Sequence, residues 1–100
     1  MTINGLLPIG SVVLLKDSTK KTMITGVVQG RKLEDGTMKV YDYCGVVYPE
    51  GNVSPDKTLL FNGEQIDSVY FIGYQDNEGL NFKEKADAVL NNLKTELDKK

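Results

Sequence analysis

Met38-Lys39-Val40-Tyr41-Asp42-Tyr43-Cys44-Gly45-Val46-Val47-Tyr48 is the stretch on which the fold turns. Valine, tyrosine and cysteine fit a pleated, half-buried surface, so the run reads as one long strand, and Gly45 at its midpoint marks a bend. Alternation gives one face of Val40, Asp42, Cys44, Val46 and Tyr48 and another of Tyr41, Tyr43, Gly45 and Val47. Neither face is purely apolar, so the inward one is not fixed by pattern. Towards the N-terminus, Asp35-Gly36 signals a turn, and Thr22 to Val28 is a second extended run with a bulge or a tight bend expected at Gly26. A turn at Asp17 to Lys20 separates it from Val12 to Leu15, the first strand. Pro8 cannot join a ladder, so pairing there begins at about Ser11. Towards the C-terminus come a loop over Pro49 to Pro55, a short run Thr58 to Phe61, a turn at Asn62-Gly63 and a fifth run from Ile66 to Tyr74. Five short extended segments separated by turn residues are an all-β signature.

After residue 80 the period changes. Phe82, Ala86, Val89, Leu90, Leu93 and Leu97 recur at the spacing of one helix face, which predicts a helix over 82–98. Asn81 is the expected N-cap with Glu84 as its capping-box partner, and Gly79 breaks the chain before them. A helix of this length is marginal alone in water and must bury its apolar face. Val89, Leu90, Leu93 and Leu97 are expected to pack either on the chain's own sheet or on another chain, a second copy included. The fold class is α+β: a strongly bent antiparallel sheet of about five strands over residues 6–76, compatible with an SH3-like barrel, and a C-terminal helix over 80–98. One domain spans residues 1–100.

The chain has 100 residues, a net charge of −2, no histidine, no tryptophan and one cysteine. Serine–histidine and cysteine–histidine nucleophile systems are excluded, and a zinc site lacks its usual ligands. Cys44, inside a strand, reads as a small buried hydrophobe. The carboxylates show no spacing that pairs two of them for hydrolysis. Asp76-Asn77-Glu78-Gly79 resembles the start of a calcium loop but lacks its alternating ligands and terminal glutamate. The ten glycines are dispersed rather than clustered into a phosphate cradle. No cofactor or metal is expected, and the reading is of a protein that is not an enzyme. The longest apolar stretch, Val12 to Leu15, is far short of the roughly 20 residues that cross a bilayer. Met1 to Asn4 begins no leader pattern, so a cytoplasmic location is expected. Cations are scattered over an acidic chain, which argues against nucleic acid as a partner.

The five tyrosines, Tyr41, Tyr43, Tyr48, Tyr70 and Tyr74, fall on two predicted strands. Tyrosine combines an apolar body with a polar tip and serves both core rims and interfaces. Leu6-Leu7-Pro8-Ile9-Gly10-Ser11-Val12-Val13, Thr22 to Gly26, Tyr41 to Gly51, Phe61-Asn62 and Val69 to Tyr74 together resemble a family of small proteins of unknown function. These are encoded in Gram-positive bacteria beside type VII secretion genes and LXG-type toxins. Asp42 to Gly51 is the most specific part of the match. The resemblance implies a cytoplasmic accessory factor, a chaperone or adaptor for a secreted effector or its helical targeting partners, without catalysis. Tyr43 and Tyr48, beside the loop Pro49-Glu50-Gly51, are the expected contact residues, as rigid aromatic anchors next to a polar rim. An immunity protein is the alternative, its acidic balance suited to a basic toxin surface.

Overall fold

A computed structural model describes residues 5–98; Met1 to Asn4, read above for a leader pattern, and Lys99 and Lys100 lie outside the described residues. The elements are β1 (Val12–Leu15), β2 (Lys21–Lys32), β3 (Met38–Val47), β4 (Leu59–Phe61), β5 (Ile66–Phe71) and α1 (Asn77–Asp98), with single 3-10 turns at Pro55–Lys57 and Gly63–Gln65. The strands form one sheet in the order β4-β3-β2-β1-β5, antiparallel throughout. β4 and β5 follow one another in sequence yet occupy opposite edges, so the sheet is bent but not closed. Pairing reaches back to Gly10, whose amide donates to the Ile24 carbonyl at 2.8 Å, while the Ser11 carbonyl accepts the Ile24 amide at 2.8 Å.

The expected bulge is present: the register passes from Ile24 opposite Gly45 to Gly26 opposite Cys44, leaving Thr25 as the extra residue. Gly45 lies so close to β2 that a Cβ there would meet the Met23 carbonyl oxygen at 2.6 Å. Directly opposed residues share a face, so this register settles which side of β3 points inward. Tyr43 lies opposite Val27 and Phe61, Gly45 opposite Ile24, and Thr22 opposite both Val13 and Val47. Val13, Ile24, Tyr43 and Phe61 are buried in one core with Leu6, Leu7, Ala86 and Leu90. Val46, on the outer face, is buried as well. β2 and β3 outrun their neighbours, and residues 30–39 form an exposed two-stranded arm. Val28, where the arm begins, has φ 53°, a left-handed conformation uncommon for a β-branched residue.

The helix corrects the sequence reading in two respects. It begins at Asn77, not at residue 82, because Asp76 is the cap: its Oδ1 accepts the Gly79 amide at 2.8 Å and its carbonyl accepts the Leu80 amide at 2.9 Å. Asn81 therefore sits inside the helix, and Gly79, expected to break the chain, occupies the first turn. Correspondingly β5 stops at Phe71 instead of running to Tyr74. The second correction is rotational. Ala86 and Leu90 are buried, but Val89 and Leu93, expected inside, are exposed together with Phe82. The side chain of Leu97 lies outside the described residues. The reason is polar. Asp87 Oδ1 accepts the Leu6 amide at 2.9 Å, Lys83 Nζ reaches Asp87 Oδ2 at 3.0 Å, and Lys94 Nζ donates to Asp42 Oδ1 at 2.5 Å. At 100° per residue, Lys83, Asp87 and Lys94 all lie on the side of Ala86 and Leu90 that is away from Phe82 and Val89. Making those bonds rolls the apolar stripe partly out of the core.

Candidate protein-binding surface

Two of the elements that position the expected contact residues pull them apart. Tyr43, mid-strand on the inward face of β3, is only 3 % exposed. Its ring stacks on Phe61 at 5.4 Å between centroids, and its hydroxyl oxygen accepts the Leu7 amide at 2.9 Å. Burial pushes its phenol pKa above the ordinary tyrosine value. A side chain enclosed in this way offers no surface to a partner, so Tyr43 is reassigned from contact residue to core.

Tyr48, Pro49 and Glu50 are exposed and Gly51 is half-buried. They form a tight loop at the end of β3. The Tyr48 amide donates to the Lys21 carbonyl at 2.9 Å, and the Gly51 amide to the Val47 carbonyl at 2.7 Å. The Tyr48–Pro49 peptide is cis, and Gly51 supplies the positive φ of 81° that the reversal requires. Lys20 Nζ lies 2.7 Å from Glu50 Oε1, and this hydrogen bond holds the Glu50 carboxyl below the usual range.

Alternation places Tyr48 on the outer face with Lys21, which it faces across the ladder. Lys21 in turn holds its ammonium 5.2 Å from the ring centre of Tyr70. Tyr70 and Phe71 are both exposed although adjacent in sequence. The cause is the irregular pairing of β1 with β5: Val12 faces Phe71 while Val13 faces Val69, which leaves Tyr70 as an extra residue. Strict alternation would have turned one of the pair inward, so spacing alone could not find them. From β3 to β5 is three strand steps, or about 14 Å. Tyr48, Lys21, Tyr70 and Phe71 thus form an aromatic corner with a charged rim made by Lys20 and Glu50. The corner combines a large apolar area with charged groups able to fix orientation, the composition that protein interfaces favour.

A second apolar feature lies where the N-terminal segment meets α1. Leu6 to Ile9, Val27, Tyr74, Phe82 and Ala86 line a groove of about 130 Å³. Asp42, besides holding Lys94, accepts the Gly63 amide at 2.7 Å, and its own amide donates to Asn62 Oδ1 at 2.9 Å. Cys44 is half-buried with its Sγ 3.7 Å from Thr25 Oγ1. Among the described residues no three His, Cys, Asp or Glu side chains are grouped to hold a metal ion, and no helix is long and apolar enough to cross a membrane.

No curated protein and no solved structure matches the chain. A family model described as a domain of unknown function does match, over residues 6–82, which takes in the whole sheet, the aromatic corner and the first turns of α1. With more than half its length covered by that match, the chain belongs to the DUF4176 family.

Proposed function

We propose that the protein is a non-catalytic, cytoplasmic accessory factor of type VII secretion that binds a secreted LXG-type effector, or that effector's helical targeting partner, before export. The secretion context rests on the sequence resemblance centred on Asp42 to Gly51. The observation that carries the binding role is the aromatic corner, where Tyr48, Tyr70 and Phe71 remain in water beside Lys21 and the Lys20–Glu50 pair. Tyrosine anchors with a polar rim are the composition on which protein interfaces concentrate their energy.

The experiment is a binding titration with the effector's export domain and toxin domain prepared separately. Capture of the export domain supports the adaptor; capture of the toxin domain alone replaces it with an immunity protein. A Tyr48→Ala, Tyr70→Ala double variant is expected to weaken binding by about 10- to 100-fold, at roughly 1.4–2.8 kcal/mol for the pair. Undiminished affinity in that variant moves the contact away from the corner.

A further inference from the structure

We propose that two copies of the chain associate through the outward flank of α1, antiparallel, with Leu93 of each copy seated at the groove beside Phe82 of the other. The inference stands apart from the aromatic corner, which lies on the outer face of the sheet. It begins from the roll of the helix. Phe82, Val89 and Leu93 repeat at intervals of seven and four, so they lie in one row, and all three are exposed. Ala86, buried in the chain's own core, falls between them, so the positions follow the four-three-four spacing of a helix–helix seam with a small residue at the second place. At its N-terminal end the row runs into the groove, whose rim adds Ile9 and Tyr74.

Area decides that this row can hold a partner. Phe82 is 56 % exposed, Tyr74 81 %, Ile9 48 %, Val89 50 % and Leu93 36 %. Taking about 200 Å² for a large aromatic side chain and about 100 Å² for an aliphatic one, the five leave roughly 400 Å² of apolar surface in water. A patch of that size is at the level that is often functional on a small protein. With the usual apolar share of about 60 %, it corresponds to an interface of about 1,300 Å² in total, within the range of specific pairs.

The sequence of the helix selects an antiparallel copy as the occupant. If residue 82 of one helix faces 93 of the other, the large Phe82 meets Leu93 at both ends of the row, and Val89 falls at the level of Ala86, whose small side chain is buried in its own core and leaves the helix surface low there. Lys85, flanking the row, then approaches Asn92 of the other copy. A parallel pair in register would instead stack Phe82 on Phe82 and bring the two copies of Lys85 to the same level. The groove at Phe82 is lined mainly by apolar side chains, and about 130 Å³ accepts one leucine side chain.

Sedimentation equilibrium of the full chain over micromolar to several-hundred-micromolar concentrations tests the association. A concentration-dependent shift from monomer to dimer mass is expected. Leu93→Glu and, separately, Val89→Glu should remove it; Val89→Glu, at a half-exposed position, should also retain the circular dichroism spectrum and melting temperature of the monomer, whereas Leu93, 36 % exposed, loses some packing as well. Monomer mass throughout, or dimers that survive both substitutions, overturns the proposal. The register has its own readout in a Cys44→Ser background. Mild oxidation should link the Lys85→Cys, Asn92→Cys double variant into a covalent dimer and leave each single variant monomeric. Crosslinking of the single variants, or none in the double variant, overturns the antiparallel arrangement.

Discussion

Tyr43→Phe isolates one oxygen atom whose loss the fold should register twice. The hydroxyl is the acceptor for the Leu7 amide at 2.9 Å, in a buried site, and the neighbouring Leu6 amide is satisfied independently by Asp87. Phenylalanine keeps the ring and its stacking on Phe61 but leaves the Leu7 N–H without a partner. An unpaired buried donor costs about 1–3 kcal/mol. At about 2 kcal/mol, a chain of this size should melt about 8–16 °C lower. The second signature is alkaline. Burial raises the Tyr43 phenol above its unfolded value, so folding favours the protonated form. The sign follows: this contribution is complete below the ordinary tyrosine range near pH 10 and is lost as pH rises through the higher folded value. The difference in stability between the parent and Tyr43→Phe should therefore shrink above about pH 10. The assay is urea unfolding at neutral pH and at a series of alkaline values, followed by far-ultraviolet circular dichroism. A neutral-pH loss below about 0.5 kcal/mol, or a difference that stays constant with pH, would refute the account of this residue.

Leu90→Ala should destabilise the protein by about 2–5 kcal/mol, whereas Val89→Ala measured in dilute solution should stay within about 0.5 kcal/mol; equal losses in chemical denaturation would mean that the helix is rolled differently. Asp76→Ala removes the side-chain acceptor of the Gly79 amide and is expected to cost about 1 kcal/mol, with amide exchange accelerated in the first turn of α1 and not in the sheet. Gly73→Ala should be far worse than an exposed substitution, since a Cβ there overlaps the Ile9 carbonyl and crowds the Ser11 amide; an unchanged melting temperature would show that the crossing of these segments is looser than described.

Much of the fold was legible because it rests on local chemistry. The bulge near Gly26 and the close strand approach at Gly45 come from glycines placed where there is no room for a side chain, as the Met23 carbonyl beside Gly45 illustrates. The turn at Asn62-Gly63 is equally local, closed by the Asn62 amide donating to Gln65 Oε1 at 2.8 Å. The inward face of β3 was not legible, because Tyr43 and Asp42 derive their places from partners far along the chain: Leu7 and Phe61 for the one, Gly63 and Lys94 for the other. A tyrosine in a strand carries no mark that says whether its hydroxyl meets water or a backbone amide. A surface anchor and a core tyrosine such as Tyr43 therefore look alike in sequence.

The helix shows the same division more sharply. Its existence follows from a period, but its start and its roll follow from single polar groups. Asp76 was a stronger cap than Asn81, for an ionised carboxylate at a helix N-terminus gains from both the hydrogen bond and the dipole. The roll was hidden because hydrophobic spacing treats Val89 and Leu90 as equals. They are separated by the bonds on one flank, where Asp87 holds Leu6 and Lys94 holds Asp42. Burying the stripe centrally would leave the Leu6 amide and the Asp42 carboxylate, neither freely exposed, without those partners, a penalty comparable to what burying one more valine would return. Polar satisfaction at the seam therefore competes on equal terms with apolar burial, and its outcome is the exposed row of Phe82, Val89 and Leu93.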